Sequence, residues 1–352
     1  MHDNVCRHPP LSPGQIDAPH LRADLGDLQL ESGAIIHGFR QSYVVHGALD
    51  RERSNAILVC ASLTGNHHRL DFLIGPGKAL DTDRYCIIAT DPIGNGLSTS
   101  PSNSTRHPGM SFPRFTIRDM VHAQHRLLTE ALQIYHLHAV VGASMGGMQA
   151  LQWAVSHPTF MDACIAMTPM ARTAPWAILV TEAARSCLMA DPAWNGSAFI
   201  AIPERGWRAY AGLMSVLLSR TPMALDESLD GLDAAHQWFE QSVRQVRQNA
   251  FDATDYLYQS WAYEAHDVGT TPGHATTAGA LATIQARTLI AAPPLDLFNP
   301  ASSARAAAAA IPGGRFLEIP SEQGHQAATS LRGEDAEFLN HEIEVFLRAG
   351  RP

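Results

Sequence analysis

Ser144 stands in the run Val140-Val141-Gly142-Ala143-Ser144-Met145-Gly146-Gly147, and residues 148–154 continue it with a helix-forming, mostly apolar stretch. An apolar run, then Gly-x-Ser-x-Gly, then a helix predicts a strand that turns sharply at the serine and exposes its hydroxyl. The flanking glycines are needed because larger side chains would clash in so tight and strained a turn. The following helix aims its positive end and its free N–H groups at the same spot, where an oxyanion would develop. A serine hydroxyl is a poor nucleophile at neutral pH, so it needs a base, and the base needs an orienting carboxylate. The chemistry to look for is acyl transfer through an ester on Ser144.

The elements that must position such a group are legible as short apolar runs alternating with helical periods. Strands are predicted at 56–60, 85–89, 139–141, 163–166, 288–291 and 315–319, with hairpin strands at 28–33 and 43–47 along one edge. An amphipathic helix is predicted over 116–132, where Thr116 and Asp119 have capping-box spacing, and a last helix over 335–347. Between 168 and 277 the strand–helix rhythm breaks into helical periods rich in Ala, Trp, Tyr, Arg and Gln. The expected organisation is an N-terminal extension (1–24), a first core part (25–167), a helical lid insertion (168–277) and a second core part (278–352). An insertion at the carboxyl end of a sheet lies over the site built there.

This strand–turn–helix unit resembles the nucleophile elbow of the α/β-hydrolases. The resemblance implies a mostly parallel central sheet with helices on both faces, and a chain order of Ser, then Asp or Glu, then His, each after a core strand. The loop after 288–292 carries one carboxylate, Asp296, and the loop after 315–319 carries His325. These are the expected acid and base. Asp267 is the rival acid and ranks lower because no strand precedes it. The oxyanion donors are expected at the backbone N–H groups of Met145 and Leu63, with Thr64 helping to position the second. His67 and His68 invite a metal reading, but neighbouring histidines point apart and no third ligand is evident, so a polar loop and no metal is the expectation. Asp91 is expected to be structural, in a turn that shapes the pocket wall.

Further segments narrow the resemblance. Residues 54–60 with Leu63-Thr64-Gly65, 112–121, 142–153, 190–196 and 251–257 are similar to the homoserine O-acetyltransferase branch, and the similarity runs from about Leu28 to Leu347. It implies Ser144 as nucleophile, Asp296 as acid, His325 as base, the Leu63 region as oxyanion donor, a helical lid, and a homodimer built through lid helices. Gln326 departs from the pattern, because the branch has Asp after the catalytic His, where it is expected to bind the substrate's amino group. The loop from Asp91 resembles general ester hydrolases instead. Thr64, Gln326 and Arg172 are the expected substrate contacts.

With 352 residues the chain can bury a large core, and its net charge of −9 argues against nucleic acid or an anionic membrane as partner. No stretch approaches the roughly 20 apolar residues of a membrane helix. Five cysteines, three of them in predicted core strands (Cys60, Cys86 and Cys164), fit a reduced, cytoplasmic protein. The leading expectation is hydrolysis of a small ester or thioester through an acyl-enzyme, with no required cofactor. The alternative is an O-acyltransferase that takes its acyl group from acyl-CoA as co-substrate and delivers it to an alcohol. A third is a catalytically silent member that uses a lidded pocket to bind a ligand.

Overall fold

The computed structural model describes residues 10–218, 220–248, 251–329 and 333–349. The first part of the expected N-terminal extension, Cys6 included, lies outside the described residues. Among the described residues ten strands follow in chain order: β1 His20–Asp24, β2 Leu28–Gln29, β3 Ile35–Ile36, β4 Arg40–His46, β5 Ala56–Cys60, β6 Cys86–Thr90, β7 Leu137–Ala143, β8 Met161–Met167, β9 Arg287–Ala292 and β10 Arg315–Glu318. Eight form one sheet in the order β1-β4-β6-β5-β7-β8-β9-β10. β1, β4 and β6 pair antiparallel, and every pairing from β6 across to β10 is parallel.

The parallel strands are short continuous apolar runs because both of their faces are covered. Alternation then sorts each strand's side chains. Leu58, Val140 and Cys164 face α1 (Ile117–Arg126) and α2 (Met145–Ser156) through Met120, Met148 and Trp153. Ile57, Val141 and Ile165 face the opposite way, towards Leu339, Ile343 and Phe346 of the C-terminal helix. The helix predicted at 116–132 starts as expected. The Thr116 hydroxyl accepts from the Asp119 amide, and the Asp119 carboxylate accepts from the Thr116 amide. It ends differently, since the α-helix stops at Arg126 and a π-helical turn, Leu127–Ala131, finishes it.

The sheet edge differs from the expected hairpin. β2 pairs with β3 as a separate small ribbon, and β4 instead pairs with β1, which falls within the expected N-terminal extension. The segment His20-Leu21-Arg22-Ala23-Asp24 has too few apolar residues to read as a strand. Its burial rests on a polar anchor, His20, which bonds to Ser42 and Asp91.

Between β8 and β9 the chain makes the helices α3 Pro175–Met189, α4 Glu204–Leu218, α5 Pro222–Ser228, α6 Gly231–Gln248, α7 Ala253–Glu264 and α8 Thr277–Leu281. This excursion closes on itself. Val268 donates its amide to Ala171 (2.9 Å), and Thr173 donates to His266 (2.9 Å). Two last helices, α9 Ala301–Ala310 and α10 Glu334–Arg348, flank β10 in sequence.

Candidate active site

At the end of β7 the backbone of Ser144 takes φ 56° and ψ −123°, a strained conformation for a residue with a side chain. Close packing around the turn dictates its glycines. A Cβ on Gly142 would lie 2.1 Å from the Gly146 carbonyl oxygen, and one on Gly146 would lie 2.2 Å from the Cys60 carbonyl oxygen. Only bare backbone lets α2 start this close to β5.

The structure brings Ser144, Asp296 and His325 together from three separate strand ends. His325 Nε2 lies 2.8 Å from Ser144 Oγ, and His325 Nδ1 lies 2.7 Å from Asp296 Oδ2. Asp296 uses its other oxygen, Oδ1, to accept the amides of Phe298 and Asn299, both at 2.9 Å. With the carboxylate fixed from both sides, Nδ1 is the natural donor and Nε2 is left to accept from the serine hydroxyl. All three residues are buried. Phe298 stands edge-on to the His325 ring at 5.3 Å and stacks on Tyr263 of α7. The Tyr263 hydroxyl bonds to Asn299, whose side-chain amide donates to the Thr168 carbonyl at 2.7 Å. Burial, with the charge of Asp296 added, raises the Tyr263 phenol well above its ordinary value, so it stays neutral and donates.

The loop after β5 faces Ser144 from the other side. The Ser62 hydroxyl donates to the Ala143 carbonyl at 2.8 Å, and Gln149 of α2 donates to the Ala61 carbonyl at 2.9 Å. Gln149 in turn accepts from Gln124, and Gln124 accepts from the Trp153 indole, each at 2.7 Å. This buried chain of amides ties α1, α2 and the loop into one piece. The Thr64 amide donates to Gln259 of α7, whereas among the described residues the Leu63 and Met145 amides donate to no backbone acceptor outside regular elements.

Thr64 and Gln326 both line a cavity of about 400 Å³, together with Gln323 and with Trp207, Tyr210 and Arg220 from the inserted segment. Arg220 is the charged residue of that wall, and among the described residues no carboxylate joins it. Arg172 does not reach the cavity. Its side chain is largely exposed, its Nε lies 3.6 Å from Asp267, and the two residues form a backbone bridge where the insertion closes. The Arg172 charge, expected to meet substrate, is paired locally with Asp267. Asp267 is structural in the same way, accepting from the Gly269 amide (2.7 Å) and the Thr277 hydroxyl (2.8 Å).

One group is only partly legible in the sequence, which singles out His67 and Asp91 but not His20. His67 does have partners, from two distant segments: Asp91 accepts from its backbone amide (3.0 Å) and lies 3.0 Å from its Nδ1, while His20 Nε2 lies 3.1 Å from the same carboxylate. Ser42 and Asn95 also donate to Asp91. His20, His67 and Asp91 offer three ligand-type atoms within 4.8 Å of one another, a set whose types suit a metal ion. Here the carboxylate oxygens are engaged in hydrogen bonds. Burial opposes ionisation of Asp91, but His67, His20 and Ser42 outweigh it and hold the carboxyl well below its ordinary range. The group anchors the start of the 3-10 turn His67–Leu73 to the end of β6. His68 points elsewhere, to Asp71 at 2.7 Å. Among the described residues, no helix is long and apolar enough to cross a membrane.

Comparison with known proteins agrees with this architecture. The family model for the alpha/beta hydrolase fold matches residues 55–327. A homoserine O-acetyltransferase of Methanocorpusculum labreanum is 36% identical over 85% of this chain and 67% of its own. One from Caulobacter vibrioides is 33% identical over 85% of this chain and 87% of its own. Among solved structures, an acetylester hydrolase from Corynebacterium glutamicum superposes with a TM-score of 0.88 at 27% identity, covering 94% of this chain and 96% of that one. The chain is thus an enzyme-family member with the fold its sequence announces, and it belongs to the homoserine O-acetyltransferase-like branch of the α/β-hydrolase superfamily.

Proposed function

We propose that this protein moves a small acyl group by way of an ester on Ser144, with His325 as base, Asp296 as its orienting acid, and the Leu63 and Met145 amides as the oxyanion hole. The observation that carries this reading is the unbroken chain of contacts from Ser144 Oγ through His325 to Asp296. In the first half-reaction Ser144 Oγ bonds to the acyl carbonyl carbon while its proton passes to His325 Nε2. The carbonyl oxygen carries the negative charge, facing the two amides. Collapse expels the alkoxide or thiolate, which takes the proton from His325. In the second half an acceptor hydroxyl gives His325 its proton and takes the acyl group, and Ser144 regains its own.

Two acceptors remain, and each has support. The activity named for the curated relatives, O-acetyl transfer to homoserine, supports an alcohol acceptor over the hydrolysis put first from sequence, and we propose acyl-CoA as the donor for it. The cavity supports water as a second reading, because an amino-acid acceptor would bring an ammonium group to a wall with Arg220 and no carboxylate. The acetylester hydrolase neighbour supports it too. The inserted segment, with Trp207, Tyr210 and Arg220 on the cavity, acts as the lid that selects the substrate. Ile200, Ile202 and Leu232 leave apolar surface exposed on that insertion for a homodimer, which light scattering at micromolar concentration would measure.

The test is acetyl-CoA with and without homoserine or a simple alcohol, read as thiol release, beside hydrolysis of an aryl acetate. Acceptor-dependent thiol release selects the transferase; aryl acetate cleavage indifferent to acceptor selects the hydrolase. Ser144→Ala should lower either activity about a thousandfold or more, and full activity in that variant would overturn the proposal.

A further inference from the structure

The residues Ser62 to Gly65 form a β-turn closed by the Gly65 amide on the Ser62 carbonyl (2.9 Å), with Leu63 and Thr64 as its central pair. Thr64 has φ 56°, while Leu63 is absent from the positive-φ residues. That is a type II turn, whose second central position is ordinarily glycine, and a β-branched residue there is strained. A type II turn relaxes to type I when its central peptide turns over, exchanging the Leu63 carbonyl oxygen with the Thr64 N–H. Here the Thr64 N–H is held. It donates to Gln259 Oε1 at 3.2 Å, and Gln259 Nε2 donates to the Ile93 carbonyl at 3.2 Å, which fixes the amide's orientation. Gln259 is fully buried and comes from α7, inside the insertion.

From this we infer that Gln259 is a positioning residue for the oxyanion hole. By holding the strained Thr64 amide, it keeps the central peptide from turning over and so fixes the backbone of Leu63, whose N–H the proposed oxyanion hole uses. The other ties on this loop, from Ser62 to Ala143 and from Asn95 to the Gly65 carbonyl (3.2 Å), hold its two ends. Gln259 alone among these holds the middle. The inference rests on the Ser144 acyl-enzyme reading above.

The test is a four-way comparison of wild type, Gln259→Met, Thr64→Gly and the double variant, with kcat and KM for an aryl acetate and melting followed by circular dichroism. Methionine keeps the stem and removes both hydrogen bonds. Glycine holds a type II turn without strain, so it removes the need for an anchor. Gln259→Met should lower kcat about tenfold to a hundredfold with KM changed less than threefold. In the Thr64→Gly background the same substitution should cost less than threefold. If the Met variant does not fold, Gln259→Leu is read in the same comparison. An equal loss of kcat in both backgrounds, or a loss under twofold in the wild-type background, overturns the inference. Ser144→Ala run alongside separates the two claims: activity that survives it overturns the acyl-enzyme reading itself, whatever Gln259 does.

Discussion

Asp296→Asn is the substitution whose outcome the geometry fixes most tightly. Oδ1 accepts two backbone amides at 2.9 Å, from Phe298 and Asn299, and Oδ2 accepts from His325 Nδ1 at 2.7 Å. An asparagine must keep its oxygen on the two amides, since turning it round would set N–H against N–H. Its NH2 group therefore faces His325 Nδ1. The ring is then forced into the tautomer with its proton on Nε2, pointing at Ser144 Oγ, and no lone pair remains to take the serine proton. The expected loss in kcat is about 10⁴-fold, equivalent to about 5.5 kcal/mol of transition-state stabilisation. Because the side chains are nearly the same size and the backbone bonds survive, stability should change by about 1 kcal/mol or less. Asp296→Ala should behave differently, leaving two buried amides without an acceptor and lowering stability by roughly 1–3 kcal/mol as well. Steady-state kinetics on an aryl acetate and thermal melts of both variants, with Asp267→Asn as comparison, make the measurement. A loss below tenfold in Asp296→Asn, or an equal loss in Asp267→Asn, would refute the assignment.

Three further outcomes follow from other parts of the structure. Gly146→Ala should destabilise by about 3 kcal/mol or more, since its Cβ would sit 2.2 Å from the Cys60 carbonyl oxygen and no side chain can yield there; a melting temperature within about two degrees of wild type would contradict this. Arg172→Ala should leave KM and kcat within twofold and stability within about 1 kcal/mol, as befits an exposed pair with Asp267; a KM rise above fivefold would return Arg172 to the site. Asp255 of α7, bonded to the Ser102 amide and hydroxyl, is pushed by burial from 3.8 to about 7. The folded state therefore holds its proton more tightly than the unfolded chain, and wild-type stability falls as pH rises from about 4 through about 7, by up to ~4 kcal/mol. Asp255→Asn carries no such titration, so its melting temperature should gain on wild type between pH 5 and pH 8, and a constant gap would exclude the effect.

What could be read from sequence alone follows a physical divide. Ser144 directly follows a strand, and Asp296 and His325 lie in the loops after two others, so the periodicity that announced the strands also placed the residues at one end of the sheet. The Thr116 cap was legible because both partners lie within one turn of chain. Contacts across long sequence separations left no such trace. Gln259 and Thr64 are 195 residues apart, and neither lies in a pattern that marks a partner. His20 escaped for the same reason, since a histidine in a polar pentapeptide gives no sign of the carboxylate 71 residues on that buries it. A charge next to a strand end, such as Arg172, looks the same in sequence whether it greets a substrate or closes a loop.

That closure has a consequence for how such a protein can diverge. Helices α3 to α7 lie between Ala171 and Val268, which are joined by a backbone hydrogen bond, so this segment hangs from one point like a cassette. Exchange, lengthening or loss of the cassette need not disturb strand order, which makes it the ready place for new substrate ranges to arise. It is not a passive cover, however. Tyr263 and Gln259 reach out of it to the acid loop and to the turn facing Ser144. A transplanted cassette would have to bring its own contacts to both of these loops.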